Sequence, residues 1–218
     1  MRLFIAIQCP EEIESILRNC QKDLENDYAE IRFADSFHIT LKFLGEVDEK
    51  NIPLIKEALS KIRQKKFRVS LCGLGAFPNM SHPNVLWTGI TPSEEVYSLQ
   101  RNVNSCLPAK MTFAKNEDFH PHITLCRIKT VYDKEKFESS INKIKSHFPL
   151  AAYSSINHQR NTQVENENGK SDRDRRASLS DFFDIPESSF EADRFILYQS
   201  FLEKNKTAYM MLEEFMLE

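Results

Sequence analysis

Two short stretches carry side chains able to move protons at neutral pH. One is His38-Ile39-Thr40-Leu41 within FHITLKFLG, and the other is His122-Ile123-Thr124-Leu125 within HPHITLCR. In a β-strand successive side chains alternate between faces. His38, Thr40 and Lys42 are therefore expected on one side, and Phe37, Ile39, Leu41 and Phe43 on the other. The second copy repeats the arrangement, with His122 and Thr124 on one face and Ile123 and Leu125 on the apolar one. Imidazole titrates near pH 6.5, so two histidines can hold opposite protonation states, one taking a proton from water while the other gives one to a departing oxygen. Threonine hydroxyls beside them suit the nonbridging oxygens of a phosphate. Either copy alone reads as an ordinary half-buried strand. The same polar residues at matched positions of two strands point instead to a paired site for in-line displacement at phosphorus, a scheme that requires no metal.

The elements that must position these groups follow from hydrophobic spacing. Arg2 to Gln8 is predicted as a buried strand, and Pro10 opens a helix from Glu11 to about Glu25 with Ile13, Ile16, Leu17 and Leu24 at helical spacing. Ile31 to Ala34 reads as a short edge strand, and Phe37 to Leu44 as the first motif strand, ended by Gly45. Ile52, Ile55, Leu59 and Ile62 mark a second helix with basic residues in its last turns. Phe67 to Phe77, interrupted by Gly73 and Gly75, pairs as a hairpin with Asn84 to Ile90 through Pro78, Asn79 and Pro83. The order then repeats: a helix from Pro92 to about Leu107, the second motif strand to Ile128, and a helix from Asp133 to His147. Residues 151–185 are expected to be a polar, mobile insertion within one domain spanning 1–218, and its position between the last helix and the closing strands suggests the hypothesis that it covers or gates the groove. Phe190 to Leu202 and Thr207 to Met216 close the chain as strands.

Composition removes several function classes. A chain of 218 residues, 41% apolar and 11% aromatic, can bury a good core. A net charge of −3 offers no broad footprint for wrapping a nucleic-acid duplex, so any nucleic-acid contact must be local. Five cysteines without CxxC spacing fit neither a disulfide framework nor a zinc site and suit a reducing cytoplasm. No apolar run reaches signal-peptide or membrane-spanning length. Nothing indicates an obligate protein partner, and a monomer is expected.

The stretches RLFIAI, FHITLKFLGEV, FHPHITLCR and FILYQSFLEKNKTAY occur in an order that covers the chain apart from the insertion. In this the sequence resembles the 2H phosphoesterase superfamily, specifically its RNA 2′,3′-cyclic phosphodiesterase group, also called 2′,5′-RNA ligase-like proteins. The resemblance implies an α+β bilobal duplicated fold, with two mainly antiparallel sheets facing a V-shaped groove and helices on the outer faces. It further implies hydrolysis of RNA 2′,3′-cyclic phosphate termini to 2′-phosphates, without cofactor or metal. His38 falls on the position of the proton donor and His122 on that of the proton acceptor. Thr40, Thr124 and Arg127 fall on phosphate-binding positions. Strict alternation puts Arg127 on the face opposite His122, so a bulge or the strand's end is needed to bring it to the site.

Other candidates are weaker. His120 shares parity with His122, but Pro121 intervenes and no acidic or thiol pattern completes a metal site, which leaves it at the rim. His82, His147 and His158 read as solvent residues, and Arg175-Arg176-Ala177-Ser178 as part of a solvated loop. Trp87 reads as core, while Phe4 is open between core and base-stacking platform. The same residues would also serve 2′,5′-ligation or a module that holds RNA ends without turnover. Substrates under any of these readings are RNA 3′ ends or cyclic nucleotides.

Overall fold

The computed structural model describes residues 1–24, 27–91, 94–108, 111, 113, 119–145, 147–148, 188–203 and 206–218. The elements in chain order are β1 (Arg2–Gln8), α1 (Glu11–Leu24), β2 (Ala29–Phe33), β3 (His38–Glu46), α2 (Ile52–Leu59), β4 (Phe67–Asn79), β5 (His82–Thr91) and α3 (Glu94–Cys106). They continue with β6 (His122–Val131), α4 (Lys134–Lys145), β7 (Ser189–Ala192), β8 (Arg194–Glu203) and β9 (Lys206–Met216). The insertion expected at 151–185, with His158 and Arg175 to Ser178, lies outside the described residues.

Among the described residues the strands form one nine-stranded antiparallel sheet in the order β7-β4-β5-β6-β3-β1-β8-β9, with β2 also on β6. The two sheets expected from the sequence are thus two wings of one curled sheet. Their junction is a single register pair, Ile39 opposite Ile123. It is short because β2 occupies the rest of that edge of β6, from Cys126 to Val131.

The four described helices bury their apolar stripes in one core on one face of the sheet. Helix α1 follows a strand of the first wing yet packs on β6, and α3 follows a strand of the second wing yet packs on β3. Each wing's motif strand is therefore backed by a helix from the other half of the chain. The opposite face carries a small separate cluster of Phe4, Ala6, Ile196 and Tyr198. Among the described residues no helix is long and apolar enough to cross a membrane.

Three expectations change. The stretch from Phe190 to Leu202 is two strands, not one: β7 joins β4 and β8 joins β1, in different wings of the sheet. The break falls at Asp193, whose carbonyl accepts from Leu217 N at 2.7 Å. Phe43 leaves the core side, because the register of β3 against β1 shifts between Thr40 and Lys42, and again between Phe43 and Gly45. It is 57% exposed, and its ring lies 6.2 Å from that of Phe4. Gly45 does not end β3, which runs to Glu46; its φ of 75° is the left-handed value that glycine adopts without a Cβ clash.

Of the two ways to bring Arg127 to the site, a bulge is the one present. Leu86 pairs with Cys126 but Trp87 pairs with Thr124, so Leu125 is the extra residue. Leu125 and Cys126 both turn to the core, and alternation resumes with Arg127 on the exposed face. The bulge is tied to α1: the carboxamide of Gln21 donates to Leu125 O and to Ala34 O, both at 2.9 Å, and Ala34 N also donates to Leu125 O at 3.0 Å. Replacing Gln21 by Met keeps the volume and removes both donations. Gln21→Met is expected to destabilise the chain by about 1–3 kcal/mol in urea denaturation, the loss of two hydrogen bonds at about 0.5–1.5 kcal/mol each. Unchanged stability would show that the bulge holds without the carboxamide.

Candidate active site

His38 and His122 are the first residues of β3 and β6, one position before the junction pair in each strand. In antiparallel order His38 then lies on the side of Thr124, and Thr40 on the side of His122, about a pseudo-two-fold axis through Ile39 and Ile123. The apolar halves of the motifs are sealed, with Ile39, Leu41, Ile123 and Leu125 at 0–1% exposure. The polar halves are half-buried on the helix-free face. The structure therefore brings together His38, Thr40, His122 and Thr124, and the bulge adds Arg127 to the same face. The charges of His122 and Arg127 act on their neighbours: His122 lowers the pKa of His38, and Arg127 that of His122.

Aromatic rings hold each imidazole. The His38 ring lies 5.2 Å from that of Phe4 and edge-on to Tyr209 at 5.5 Å. Phe4 in turn stacks on Tyr198 at 5.1 Å. His122 sits 5.0 Å from Phe77 and 5.7 Å from Trp87. The indole is brought in by Gly75, its cross-strand partner: a Cβ there would come within 2.3 Å of the Trp87 ring. Phe4 and Trp87 are both almost fully buried, so they wall the site rather than stand free as platforms. The His120 ring stands at the rim beside Trp87, at 5.2 Å. His147 is paired with Asp23 at 3.2 Å, away from these residues, and His82 is exposed. Among the described residues no three His, Cys, Asp or Glu side chains converge as a metal site, and all five cysteines are free.

The environment fixes how the two imidazoles are poised. Burial holds His38 down to about pKa 4, helped by the charge of His122. Burial also lowers His122, opposed by its bond to the His120 carbonyl and assisted by the charges of His120 and Arg127. That bond, Nδ1 to His120 O at 2.6 Å, decides the tautomer. A carbonyl only accepts, so the proton is on Nδ1 and the lone pair is on Nε2. His122 is thereby prepared to accept a proton.

Sequence reasoning did not find Tyr209 or Arg32. Tyr209 comes from β9 to the edge of the His38 ring, and Arg32 lies directly opposite Arg127 across β2 and β6. The only signal for either was its place in or beside a motif stretch. Arg2, Arg32 and Arg127 all act electrostatically on the Tyr209 hydroxyl, whose pKa burial nonetheless raises.

Known proteins share both this sequence pattern and this fold. Residues 7–87 match the family described as LigT like Phosphoesterase. The chain is 35% identical over 130 residues to the RNA 2′,3′-cyclic phosphodiesterase of Archaeoglobus fulgidus, covering 59% of this chain and 73% of that protein. It belongs to the LigT-like phosphoesterase family. Another member, the RNA 2′,3′-cyclic phosphodiesterase of Methanocaldococcus jannaschii, is 31% identical over 66% of this chain and 82% of its own. The fold of this LigT-like chain is also that of TT0787 of Thermus thermophilus, with a TM-score of 0.67 and 23% identity over 99% and 97% of the two chains.

The depressed histidines make stability depend on pH. Between the unfolded value of 6.5 and the folded value of about 4, the unfolded chain binds a proton that folded His38 does not, so stability rises with pH through this window and is lost as pH falls. Comparing urea denaturation at pH 7 and pH 4, His38→Asn should lose less stability than the parent, by on the order of 2–3 kcal/mol. Equal losses would mean that the His38 imidazole is not buried neutral.

Proposed function

We propose that this protein hydrolyses the 2′,3′-cyclic phosphate at RNA 3′ ends to a 2′-phosphate, with His38 as proton donor and His122 as proton acceptor. The observation that carries the reading is the pairing of two His-x-Thr strands at their middle residues, Ile39 and Ile123, which sets two imidazoles and two hydroxyls on one face. Family membership supports the reaction class, since the relatives in A. fulgidus and M. jannaschii carry that activity in their names.

In the proposed step a water oxygen attacks phosphorus as its proton passes to Nε2 of His122. The bond from phosphorus to the ribose 3′-oxygen breaks in line, and His38 gives that oxygen its proton. Thr40, Thr124 and Arg127 hold the nonbridging oxygens, whose charge grows in the transition state. His122 is suited to act as base because its free nitrogen is Nε2 and because Arg127 disfavours its charged form. In the free protein His38 is neutral at pH 7, so it must take up a proton with the substrate. The anionic phosphodiester, bound beside it, favours the imidazolium and supplies that shift.

Residues 1–218 act as one bilobal unit in this reading, because consecutive strands near the C-terminus, β7 and β8, join different wings of the sheet, on β4 and on β1. Five free thiols suit a reducing cytoplasm. Ligation through a 2′,5′ linkage is the reverse of the same chemistry and is disfavoured in water.

The test is incubation with a 2′,3′-cyclic-phosphate oligonucleotide in EDTA, with identification of the product. A 2′-phosphate is expected, and His38→Ala and His122→Ala should each reduce turnover by about a hundredfold or more. The alkaline limb of the pH profile should lie at higher pH for kcat, which reads the complex, than for kcat/KM, which reads the free protein. Near-parental turnover in either variant would remove that histidine from the mechanism, and binding without product would leave only an RNA-end-binding module.

A further inference from the structure

We propose that Phe43 and Arg2 form a subsite for the nucleotide one step upstream of the RNA end, Phe43 stacking on its base and Arg2 pairing with the phosphodiester that joins it to the terminal residue. This inference rests on the cyclic-phosphodiesterase reading above, and it names the preferred substrate as an oligonucleotide, not a mononucleotide. Neither residue lines the cavity of about 630 Å³ beside His38, so the surface is separate from that cavity.

Two bulges turn Phe43 outward. β3 passes from Thr40 to Lys42 while β1 passes only from Ala6 to Ile5, so Leu41 is an extra residue; Leu44, between Phe43 and Gly45, is a second. A bulge interrupts the ladder and re-aims a side chain, and bulges gather beside active sites. Leu41 and Leu44 stay at 1% exposure, whereas Phe43 between them is 57% exposed. β6 does this once: its extra residue Leu125, the counterpart of Leu41 in the repeated motif, brings out Arg127. Three positions beyond their threonines, the two motif strands thus present a guanidinium on one wing and an apolar ring on the other. Single exposed apolar residues are ordinary on a protein surface. One re-aimed by two bulges, against a wall of the site, calls for a partner.

The surface is continuous with the site. Two ring-to-ring steps lead outward from His38, 5.2 Å to Phe4 and 6.2 Å from Phe4 to Phe43. Arg2 lies two residues before Phe4 in β1, and alternation puts it on the same helix-free face. It is exposed, and its charge reaches the Tyr209 hydroxyl on that face. The carboxylate of its register partner, Glu46, is turned to the N-terminal amine at 3.6 Å, and among the described residues Arg2 makes no ion pair. An open aromatic ring beside an available guanidinium is the combination that holds a base and its phosphodiester in single-strand binding. In the in-line step the 3′-oxygen departs at His38 and stays on the terminal ribose, so the upstream chain leaves from the side that Phe4 adjoins. Arg127 remains with the reacting phosphate, and Arg2 takes the next one.

The experiment compares kcat/KM for adenosine 2′,3′-cyclic phosphate with that for the diadenylate ending in the same cyclic phosphate, which adds one base and one phosphodiester. The parent is expected to favour the diadenylate by about tenfold or more, and Phe43→Ala to lower the diadenylate value about tenfold, through KM, the loss appropriate to one stacked base. The mononucleotide value should be unchanged by Phe43→Ala. With rising salt, log kcat/KM should fall more steeply for the diadenylate than for the mononucleotide, by a slope of about 0.7 for one single-strand phosphate contact, and Arg2→Gln should remove that excess. Both side chains are exposed, so neither replacement opens the core. A parent without preference, equal effects of Phe43→Ala on the two substrates, or an excess salt slope that survives Arg2→Gln would overturn the subsite. If the parent hydrolyses neither compound, the phosphodiesterase reading fails, and equilibrium binding of the diadenylate 2′-phosphate and of adenosine 2′-monophosphate then decides. Tighter binding of the diadenylate that Phe43→Ala weakens about tenfold, with the monophosphate unaltered, sustains the subsite, and any other result refutes it.

Discussion

The contact between Ile39 and Ile123 is the constraint on which the remaining structure depends. It is the one register pair joining β3 to β6, and both side chains are fully buried. Two strands that met along their whole length would make a flat continuous sheet and leave the histidines on an open surface. Strands that did not meet at all would leave the imidazoles to the relative motion of two lobes. One shared pair fixes the separation of the two motifs while the wings diverge on either side. The swapped helices reinforce it, since α1 backs β6 and α3 backs β3. Neither wing can shift without disturbing a helix that belongs by sequence to the other.

Much of this was legible in the sequence. Alternation across HITL sealed the apolar half of each motif and exposed the polar half, and the helices and hairpin fell close to their expected bounds. What was not legible depends on the partner strand. Nothing within ITLCR marks Leu125 as an extra residue; that is decided by how β5 passes from Leu86 to Trp87 opposite it. The same holds for Phe43, whose side of the sheet is set by the register of β1. The stretch from Phe190 to Leu202 alternates well enough for one strand, yet Asp193 divides it between the two wings of the sheet. Tyr209 and Arg32 were missed for a related reason: each reaches the site through pairing distant in sequence, the β8–β9 hairpin on β1 and β2 on β6.

In β6 a bulge brings a residue of the wrong parity to the site. An extra residue interrupts ladder hydrogen bonds and is tolerated when its backbone groups find other partners. At Leu125 those partners are Ala34 N and the Gln21 carboxamide, so one helical side chain ties the exit of β2 to the middle of β6. The same segment leads through Asp35 and Ser36 to His38. The guanidinium on one side of the site and the imidazole on the other are therefore located by one hydrogen-bonded knot.

Burial then gives the site its electrical character. With His38 held to about pKa 4 and His122 also lowered, both rings are neutral at pH 7, and Arg127 is the fixed positive charge on that face of β6. Two imidazolium ions beside one another would repel, and desolvation adds to that cost. An anionic phosphodiester reverses the balance by favouring protonation of the ring beside it. His38 is the ring free to respond, because the Nδ1–H of His122 is already committed to the His120 carbonyl while its Nε2 stays open to a proton from water. The chemical asymmetry between two histidines on near-identical motifs thus arises outside the motifs, from one carbonyl two residues upstream and one arginine beyond a bulge.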